Sequence, residues 1–194
     1  MRNLVVSLLL LVSLSCFAQF GVGMRDTRYV NVNYTFKNRF GVELEHSVFS
    51  EKFKYQHVRL SLSCTMPVNR FEFQVKPYFG TLYCGDYYDV GAFLNASCRV
   101  VKSLLLCGTL NPHYDSGFEY KTCFMLGAEC NVYKDLSLMA QYTTIPENRQ
   151  SEKRVRAGLK FDIGRLWVEP LVSIPVEGRS HKSVRVAVSM GYQF

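Results

Sequence analysis

The sequence predicts an all-β protein, a single antiparallel up-and-down transmembrane β-barrel, most simply of 12 strands and alternatively of 10. Three observations lead to this prediction. Apolar and polar residues alternate along almost the whole chain, which is the period of a β-strand with two unlike faces. The polar face carries charges of both signs, as a barrel lumen does. Aromatic residues cluster near the ends of the segments, as they do at a membrane interface.

Residues 1–18 are predicted to be a secretory signal peptide, and residues 19–194 the barrel. Arg2 supplies the positive charge, residues 4–14 are apolar, and small residues precede a cleavage site before Gln19. The apolar run is too short to cross a bilayer as a helix. A retained anchor and acylation of Cys16 are the alternatives.

The strands follow in order from the alternation. It is most regular in segments 29–37, 56–64, 71–79, 89–100 and 154–162. In the fourth of these, Val90 and Leu94 point to one face while Asn95 and Arg99 point to the other. Eleven segments are clear from residue 28 onward, and residues 20–25 make a twelfth. An even number is required if both termini lie on the periplasmic side.

The connections alternate in length. Short breaks are predicted at 37–39, 67–69, 101–102, 131–135 and 163–165, and longer polar ones near 50–54, 84–86, 111–117, 145–152 and 175–182. This pattern places the short turns in the periplasm and the longer loops outside the cell. No linker divides the chain, so one domain is expected.

The last strand alternates Val184, Val186, Val188, Met190 and Tyr192 with polar or small residues and stops on Phe194. Together with the signal peptide, this pattern resembles Gram-negative outer-membrane β-barrel proteins as a class. The resemblance implies a bacterial outer-membrane location. It also implies that Tyr192 and Phe194 form a signal for the barrel-assembly machinery. Outer-membrane lipid and lipopolysaccharide are the other partners expected.

Charged residues on the polar face are predicted to line the lumen, as a pore wall or as an ion-pair network. They are Glu43, Glu45, Arg59, Glu72, Lys76, Arg99, Glu119, Lys121, Arg154, Arg156, Lys160, Glu169 and Arg185. The basic stripe on segment 154–162 favours anionic solutes if the acids nearby leave it unpaired. The aromatic girdles are predicted from Phe36, Phe40, Phe49, Phe53, Tyr55, Tyr83, Tyr87, Tyr88, Phe118, Tyr120, Phe161 and Trp167.

Charge and cysteine content exclude several classes of protein. Without Arg2 the chain has 22 basic and 16 acidic side chains, a net charge of +6. These charges are dispersed, so nucleic acid is not an expected partner. Six cysteines remain, and none is in a C-x-x-C motif, which excludes a zinc ribbon. They are expected to serve as small apolar residues, with a disulfide as the alternative.

We therefore expect a small integral outer-membrane protein, structural or surface-exposed, or a narrow porin-like channel for small polar or anionic solutes. A lipid or peptide hydrolase at the extracellular rim and a soluble secreted β-sandwich are the alternatives. A hydrolase would use His46, His57, His113 or His181, with His113–Asp115, or His57 and a neighbouring acid, as candidate pairs. No motif supports either pair, so no enzymatic activity, cofactor or metal is predicted.

Overall fold

A computed structural model describes residues 18–37, 39–48, 56–117, 119–144, 153–176 and 184–194. They form twelve antiparallel strands joined edge to edge in sequence order into one closed barrel. The strands are β1 Ala18–Arg25, β2 Tyr29–Phe36, β3 Phe40–Ser47, β4 His57–Val68, β5 Phe71–Leu82, β6 Tyr88–Val101, β7 Leu104–Asp115, β8 Tyr120–Tyr133, β9 Leu136–Thr143, β10 Arg154–Ile163, β11 Leu166–Pro175 and β12 Arg185–Gln193.

The barrel closes where β1 meets β12. Gly21 lies opposite Gln193, and Met24 lies opposite Met190. The Phe194 amide also donates to the Phe20 carbonyl oxygen at 2.8 Å. The prediction of twelve strands is thereby confirmed. The ten-strand alternative and the soluble β-sandwich are wrong, because every strand pairs on both sides and no edge remains between two sheets.

Each strand turns its apolar face outward. Leu60, Leu62, Leu126 and Val186 are between 50% and 72% exposed. The outward residues alternate with inward polar ones, as in Tyr29–Phe36, where every second residue is polar. Soluble proteins rarely expose a continuous apolar belt, because contact between apolar surface and water is unfavourable. The hydrocarbon core of a membrane solvates such a belt. No helix in the described part of the chain is long and apolar enough to cross a membrane.

The two ends of the barrel differ in their connections. We call one the turn end: its connections are 37–39, 69–70, 102–103, 134–135 and 164–165, and both β1 and β12 have a terminus there. We call the other the loop end, with connections 26–28, 48–56, 83–87, 116–119, 144–153 and 176–184. Tight turns require unusual backbone angles, and Asn69 and Gly164 have φ values of +57° and +66°.

Of the five prolines within strands, Pro67 and Pro175 lie at strand ends, and the three in strand interiors point outward. Pro77, Pro112 and Pro170 each face a residue on one neighbouring strand, namely Ala92, Thr122 and Val188, while the ladder to the other neighbour is interrupted beside them. A proline has no amide hydrogen to donate, so one ladder loses a hydrogen bond at that point. At these three positions the proline ring faces the lipid side of the barrel and not the lumen.

The structure corrects some details of the sequence prediction. β7 continues through Asp115, so residues 111–115 are strand rather than connection, and β8 continues to Tyr133. Trp167 and Tyr87 face inward instead of joining a girdle, since Trp167 lies opposite Gly191 and Tyr87 lines the lumen cavity. The predicted signal peptide up to residue 17, together with Phe49, Phe53, Tyr55, Phe118 and His181, lies outside the described residues.

Candidate functional site: the barrel lumen

The lumen contains a cavity of about 1150 Å³ to which all twelve strands contribute. This is at or above the upper size of ordinary small-molecule pockets, which is ~1,000 Å³. Its lining lies in the loop-end half and the middle of the barrel. The lining residues are Arg25, Asp26, Thr27, Arg28, Tyr29, Asn31, Glu43, Glu45, Ser47, His57, Arg59, Ser61, Gln74, Lys76, Tyr78, Leu82, Tyr87, Asp89, Phe93, Asn95, Thr109, Asn111, His113, Asp115, Lys121, Met125, Gln141, Thr143, Arg156, Glu169, Leu171 and Ser189.

A chain of ion pairs runs along one wall of this cavity. Arg25 donates to both carboxylate oxygens of Glu45, at 3.0 Å from Nε and 2.9 Å from Nη2. Arg59 lies between two acids: its Nη1 is 3.5 Å from Glu45 and its Nη2 donates to Asp89 at 2.9 Å. The His57 ring completes the chain, with Nε2 2.7 Å from Asp89 Oδ1. We call these five residues the β1–β6 network.

The network depends on a missing side chain. Gly80 on β5 lies opposite both Arg59 on β4 and Asp89 on β6. A β-carbon at Gly80 would lie 2.2 Å from Asp89 Oδ1 and 2.5 Å from His57 Nε2. Glycine at this position therefore lets side chains from β4 and β6 meet across the strand between them.

Aromatic rings hold the central guanidinium of the network in place. The Arg59 Cζ atom lies 4.4 Å from the centre of the Tyr78 ring and 5.8 Å from that of Phe93. Such contacts favour a cation over a ring face. Tyr78 is itself anchored, because its hydroxyl donates to Asn111 Oδ1 at 3.1 Å. The Arg59 guanidinium therefore contacts two carboxylates and two aromatic rings at its place in the lumen.

Uncharged polar side chains form a second chain nearer the middle of the barrel. Gln74 donates to the Thr65 hydroxyl at 3.1 Å, Asn95 donates to Gln74 at 2.8 Å, and Thr109 donates to Asn95 at 2.8 Å. Three of the four, Gln74, Asn95 and Thr109, line the cavity. Amides and hydroxyls of this kind exchange hydrogen bonds with water and with solute hydroxyls.

The charges that line the cavity balance. Six are basic and six are acidic: Arg25, Arg28, Arg59, Lys76, Lys121 and Arg156 against Asp26, Glu43, Glu45, Asp89, Asp115 and Glu169. Besides the network, Lys76 pairs with Glu43 at 2.8 Å and Lys121 with Asp115 at 3.4 Å. Arg156 lies 3.5 Å from Asp26. The wall is therefore strongly polar and carries no net formal charge when both histidines are neutral.

The charged residues predicted from the sequence fall into two groups. Those that line the cavity are Glu43, Glu45, Arg59, Lys76, Lys121, Arg156 and Glu169. Those that do not are Glu72, Arg99, Glu119, Arg154, Lys160 and Arg185. Glu119 lies in a connection outside the strands. Arg154 is 1% exposed and donates to the Ser173 hydroxyl at 2.7 Å, so it belongs to the barrel wall.

The predicted basic stripe does not form a track of free cations. Its three members are Arg154, Arg156 and Lys160. The first is buried against Ser173, the second lies beside Asp26, and the third is 3.6 Å from Glu129 and 3.7 Å from Asp162. The spacing along β10 identified the three bases. Their partners are Ser173 on β11, Asp26 in the connection after β1, Glu129 on β8 and Asp162 on β10 itself, and only the last of these could be paired from the spacing of one strand.

Several residues of the cavity were not among those predicted from the sequence to line the lumen. Asp89 and Asn111 are 3% and 4% exposed and hold His57 and Tyr78 respectively. Both residues occupy inward positions of alternating strands, so the strand period was the available signal. Asn111 was passed over because Asn-Pro at 111–112 favours a connection.

Of the two histidine pairs considered from the sequence, one forms. His57 meets an acid, Asp89, whereas His113 Nδ1 contacts the Asn111 carbonyl oxygen at 3.3 Å and Asp115 pairs with Lys121. The hydroxyl bonded to His57 is that of Ser47, which accepts from the backbone amide at 2.7 Å rather than from the ring. A nucleophile activated by a histidine needs a bond to the ring.

The six cysteines of the described chain carry reduced thiols. Cys84 lies in a connection, and the five in strands divide between the two faces. Cys107 and Cys123 occupy inward positions, and Cys123 is 1% exposed. Cys64, Cys98 and Cys130 occupy outward positions. The described residues contain no cluster of three His, Cys, Asp or Glu that could hold a metal ion.

Solved structures of porins share this architecture. The KdgM porin in complex with disordered oligogalacturonate has a TM-score of 0.70 at 12% sequence identity, over 91% of this chain and 98% of its own. The NanC porin has a TM-score of 0.60 at 9% identity, over 90% and 98%. The Acinetobacter baumannii outer membrane protein Omp33 has a TM-score of 0.55 at 10% identity, over 91% and 96%. No protein-family model and no curated protein matches the chain.

Fold and lumen together define a class. The chain is a closed twelve-strand antiparallel β-barrel with the fold of small outer-membrane porins. It has an apolar belt outside and a charged but balanced lumen inside.

Proposed function

We propose that this protein is a narrow outer-membrane channel for small polar solutes. The observation that carries the proposal is the cavity of about 1150 Å³ lined by all twelve strands. Eight-stranded barrels have interiors that side chains just fill, whereas barrels of about sixteen strands or more hold a water channel. A twelve-strand barrel lies between these sizes, and here polar side chains surround an open space.

The wall favours uncharged or zwitterionic solutes over anions. Each of Arg25, Arg59, Lys76, Lys121 and Arg156 lies within 3.5 Å of a carboxylate. An anion that enters must compete with these acids for the same cations. Hydroxylated solutes can instead exchange hydrogen bonds with the chain of amides and hydroxyls through Gln74, Asn95 and Thr109. We therefore place polyols and neutral sugars ahead of sugar acids as solutes.

Two measurements on the purified, folded barrel test the proposal. Liposome swelling compares a neutral hexose with the matching hexuronate, and planar-bilayer recording gives the conductance and the reversal potential in a KCl gradient. We expect hexose permeation at least equal to that of hexuronate, and a reversal potential close to zero. A folded barrel that conducts nothing would contradict the channel. Strong anion selectivity, or faster permeation of the hexuronate than of the hexose, would contradict the choice of neutral solutes.

A paired variant connects selectivity to the network. E45Q with D89N removes both acids beside Arg59 and keeps the shape of their side chains. Because two guanidinium groups then face the lumen without carboxylates, the reversal potential should move toward anions. E119Q is the matched control, since Glu119 is exposed at the loop-end mouth and lies outside the cavity lining. An equal shift in both would mean that the network does not determine selectivity.

The same proposal covers location and assembly. The signal peptide is removed at export, the turn end faces the periplasm, and the terminal strand is read by the barrel-assembly machinery. The Tyr192 and Phe194 rings lie edge to face at 4.9 Å, and the Phe194 ring is 5.6 Å from that of Phe20. These contacts join the two ends of the chain at the closing seam. F194A should therefore lower the amount of folded barrel in the outer-membrane fraction, as read by heat-dependent gel mobility.

The hydrolase alternative has one supporting feature, the His57–Asp89 pair at 2.7 Å. Arg59 also binds Asp89, so the acid serves a structural ion pair as well as the histidine. We propose that the protein is not an enzyme. Turnover of a lipid or peptide ester by the folded barrel, abolished in H57Q, is the result that would overturn this.

A further inference from the structure

The positive charge of the protein is concentrated at one end. The five connections of the turn end contain six basic residues, Lys37, Arg39, Arg70, Lys102, Lys134 and Arg165, and a single acid, Asp135. By sequence, the six connections of the loop end contain seven bases and seven acids. The turn end therefore has a net charge of +5 and the loop end none. We call the six basic residues the basic collar.

The basic collar lies outside the lumen cavity and its ion pairs. All six side chains are exposed. None forms an ion pair with a described residue, whereas most charged residues inside the barrel do. None lines the cavity. The collar consequently presents six cations that no group of the described barrel neutralises.

The collar lies at the edge of the apolar belt. Each of its turns is flanked by outward apolar residues: Phe40 is 56% exposed, Val101 55%, Tyr133 76% and Ile163 63%. The Lys37 ammonium lies 5.2 Å from the centre of the Phe36 ring, which belongs to the outward face of β2. Long basic side chains behave in this way at a membrane surface, with the stem on apolar groups and the charge at the headgroups.

The distribution around the barrel indicates the kind of partner. Each of the five turn-end connections contributes at least one base, so the cations are spread around the circumference except at the seam between β1 and β12, which has no connection at this end. A protein partner contacts one side of a barrel, and a solute meets only the groups that face the mouth. A leaflet of lipid surrounds the barrel on all sides at this level. Anionic headgroups attract basic residues within a Debye length of the surface.

We propose that the basic collar binds the anionic headgroups of the phospholipid leaflet at the turn end, with phosphatidylglycerol as the model ligand. This inference rests on the membrane location in the proposed function. It adds a lipid-binding surface that serves to anchor and orient the barrel. The balanced charges of the loop-end connections provide no equivalent attraction.

The test compares two charge-matched variants of the mature chain. The collar variant is K37Q, R39Q, R70Q, K102Q, K134Q and R165Q. The control removes an equal number of positive charges, six, from the loop-end connections. Its substitutions are K52Q, K54Q, R149Q, K153Q, R179Q and K182Q. Each folded protein is exchanged into mixed phosphatidylglycerol and phosphatidylcholine of equal chain length. The lipids that remain bound are then counted by native mass spectrometry at low salt and in 0.5 M ammonium acetate, a volatile salt that at this ionic strength screens such charges over ~4 Å.

We expect the wild type and the control to retain phosphatidylglycerol preferentially. The collar variant should lose this preference by roughly ten-fold or more, since each base near an anionic surface contributes about a five-fold factor. High salt should reduce the preference of the wild type. Equal loss in both variants would mean that overall charge is responsible, and no loss in either would mean that the collar does not bind lipid. Both results overturn the proposal.

A separate measurement keeps this test apart from the channel. Conductance and reversal potential of both variants are recorded in a pure phosphatidylcholine bilayer, where no anionic headgroup is present. Unchanged conductance with lost lipid preference supports the collar as a lipid-binding surface. A changed reversal potential with intact lipid preference would assign the cations to the solute mouth instead, against the proposal. A wild type that binds phosphatidylglycerol but conducts nothing refutes only the channel.

Discussion

Charged residues near the loop end of the barrel form ion pairs in the lumen, whereas those in the connections of the turn end are exposed. Near the loop end, charged residues point into the lumen and meet partners: Arg59 lies between Glu45 and Asp89, and Arg25 binds Glu45 through two hydrogen bonds. At the turn end, the basic collar is exposed and unpaired within the described chain. One end builds a network among buried groups, and the other presents separate cations to its surroundings.

The difference reflects the medium that each group meets. A charge inside the barrel has lost much of its water, so leaving it without a partner is costly. Five of the six acids that line the cavity accordingly lie within 3.5 Å of a base. A charge at the headgroup level keeps its water and gains little from an ion pair. Substitutions at the loop end should therefore change stability, while substitutions in the collar should change only what the barrel binds.

The largest effect is expected from R59M, which removes the central cation of the network. Glu45 would keep only Arg25, and Asp89 only His57. Breaking a buried pair costs about 3 kcal/mol. Urea unfolding in detergent, followed by heat-dependent gel mobility, measures the loss. K121M is the control at the mouth, where Glu119 is exposed, and should cost below about 1 kcal/mol. Equal losses of unfolding free energy in R59M and K121M would mean that buried and exposed ion pairs contribute the same stability.

A smaller loss is expected from G80A. The new β-carbon would occupy the space in which His57 and Asp89 meet, and overpacking of this kind costs about 1–3 kcal/mol. The same unfolding assay measures it. G108A is the matched control, because its β-carbon would find its nearest neighbour at 3.6 Å, an ordinary contact. If G80A were as stable as the wild type, the network would not need the glycine.

At the turn end, we expect a substitution to lower the unfolding free energy only if it strains the backbone. Asn69 has a φ of +57°, which asparagine tolerates and a β-branched residue does not. N69V should cost about 1–2 kcal/mol. N69G relieves the same strain and should fold at least as well as N69V in every condition. A neutral N69V would indicate that this turn can rearrange.

The smallest effect is expected from neutralising the collar in a neutral detergent. R70Q should change the unfolding free energy by less than about 0.5 kcal/mol, since the exposed side chain has no ionic partner in the described chain. The value should also be insensitive to salt. A loss of more than 1 kcal/mol in detergent would show that the collar stabilises the barrel itself, contrary to a role in lipid binding.

Much of the fold follows from local patterns. Strict alternation identified the strands and their outward faces, and the pattern that ends in Phe194 identified the last strand. The failures have a common cause. Residues 111–115 contain Asn and Pro and predict a connection, but Asn111 is held by Tyr78 and the strand continues past it. Trp167 was assigned to a girdle by its place at a strand end, although its position in the two-residue period turns it inward.

The sequence by itself determined which face most strand residues occupy and which end each turn belongs to, and hence the excess of positive charge at the turn end. A period of two and the order of the connections suffice for this, because both are local properties. Only the tertiary structure decided which charges meet. Closure of the barrel sets the stagger between neighbouring strands. This stagger brings Arg25, Glu45, Arg59 and Asp89 to one level from four different strands.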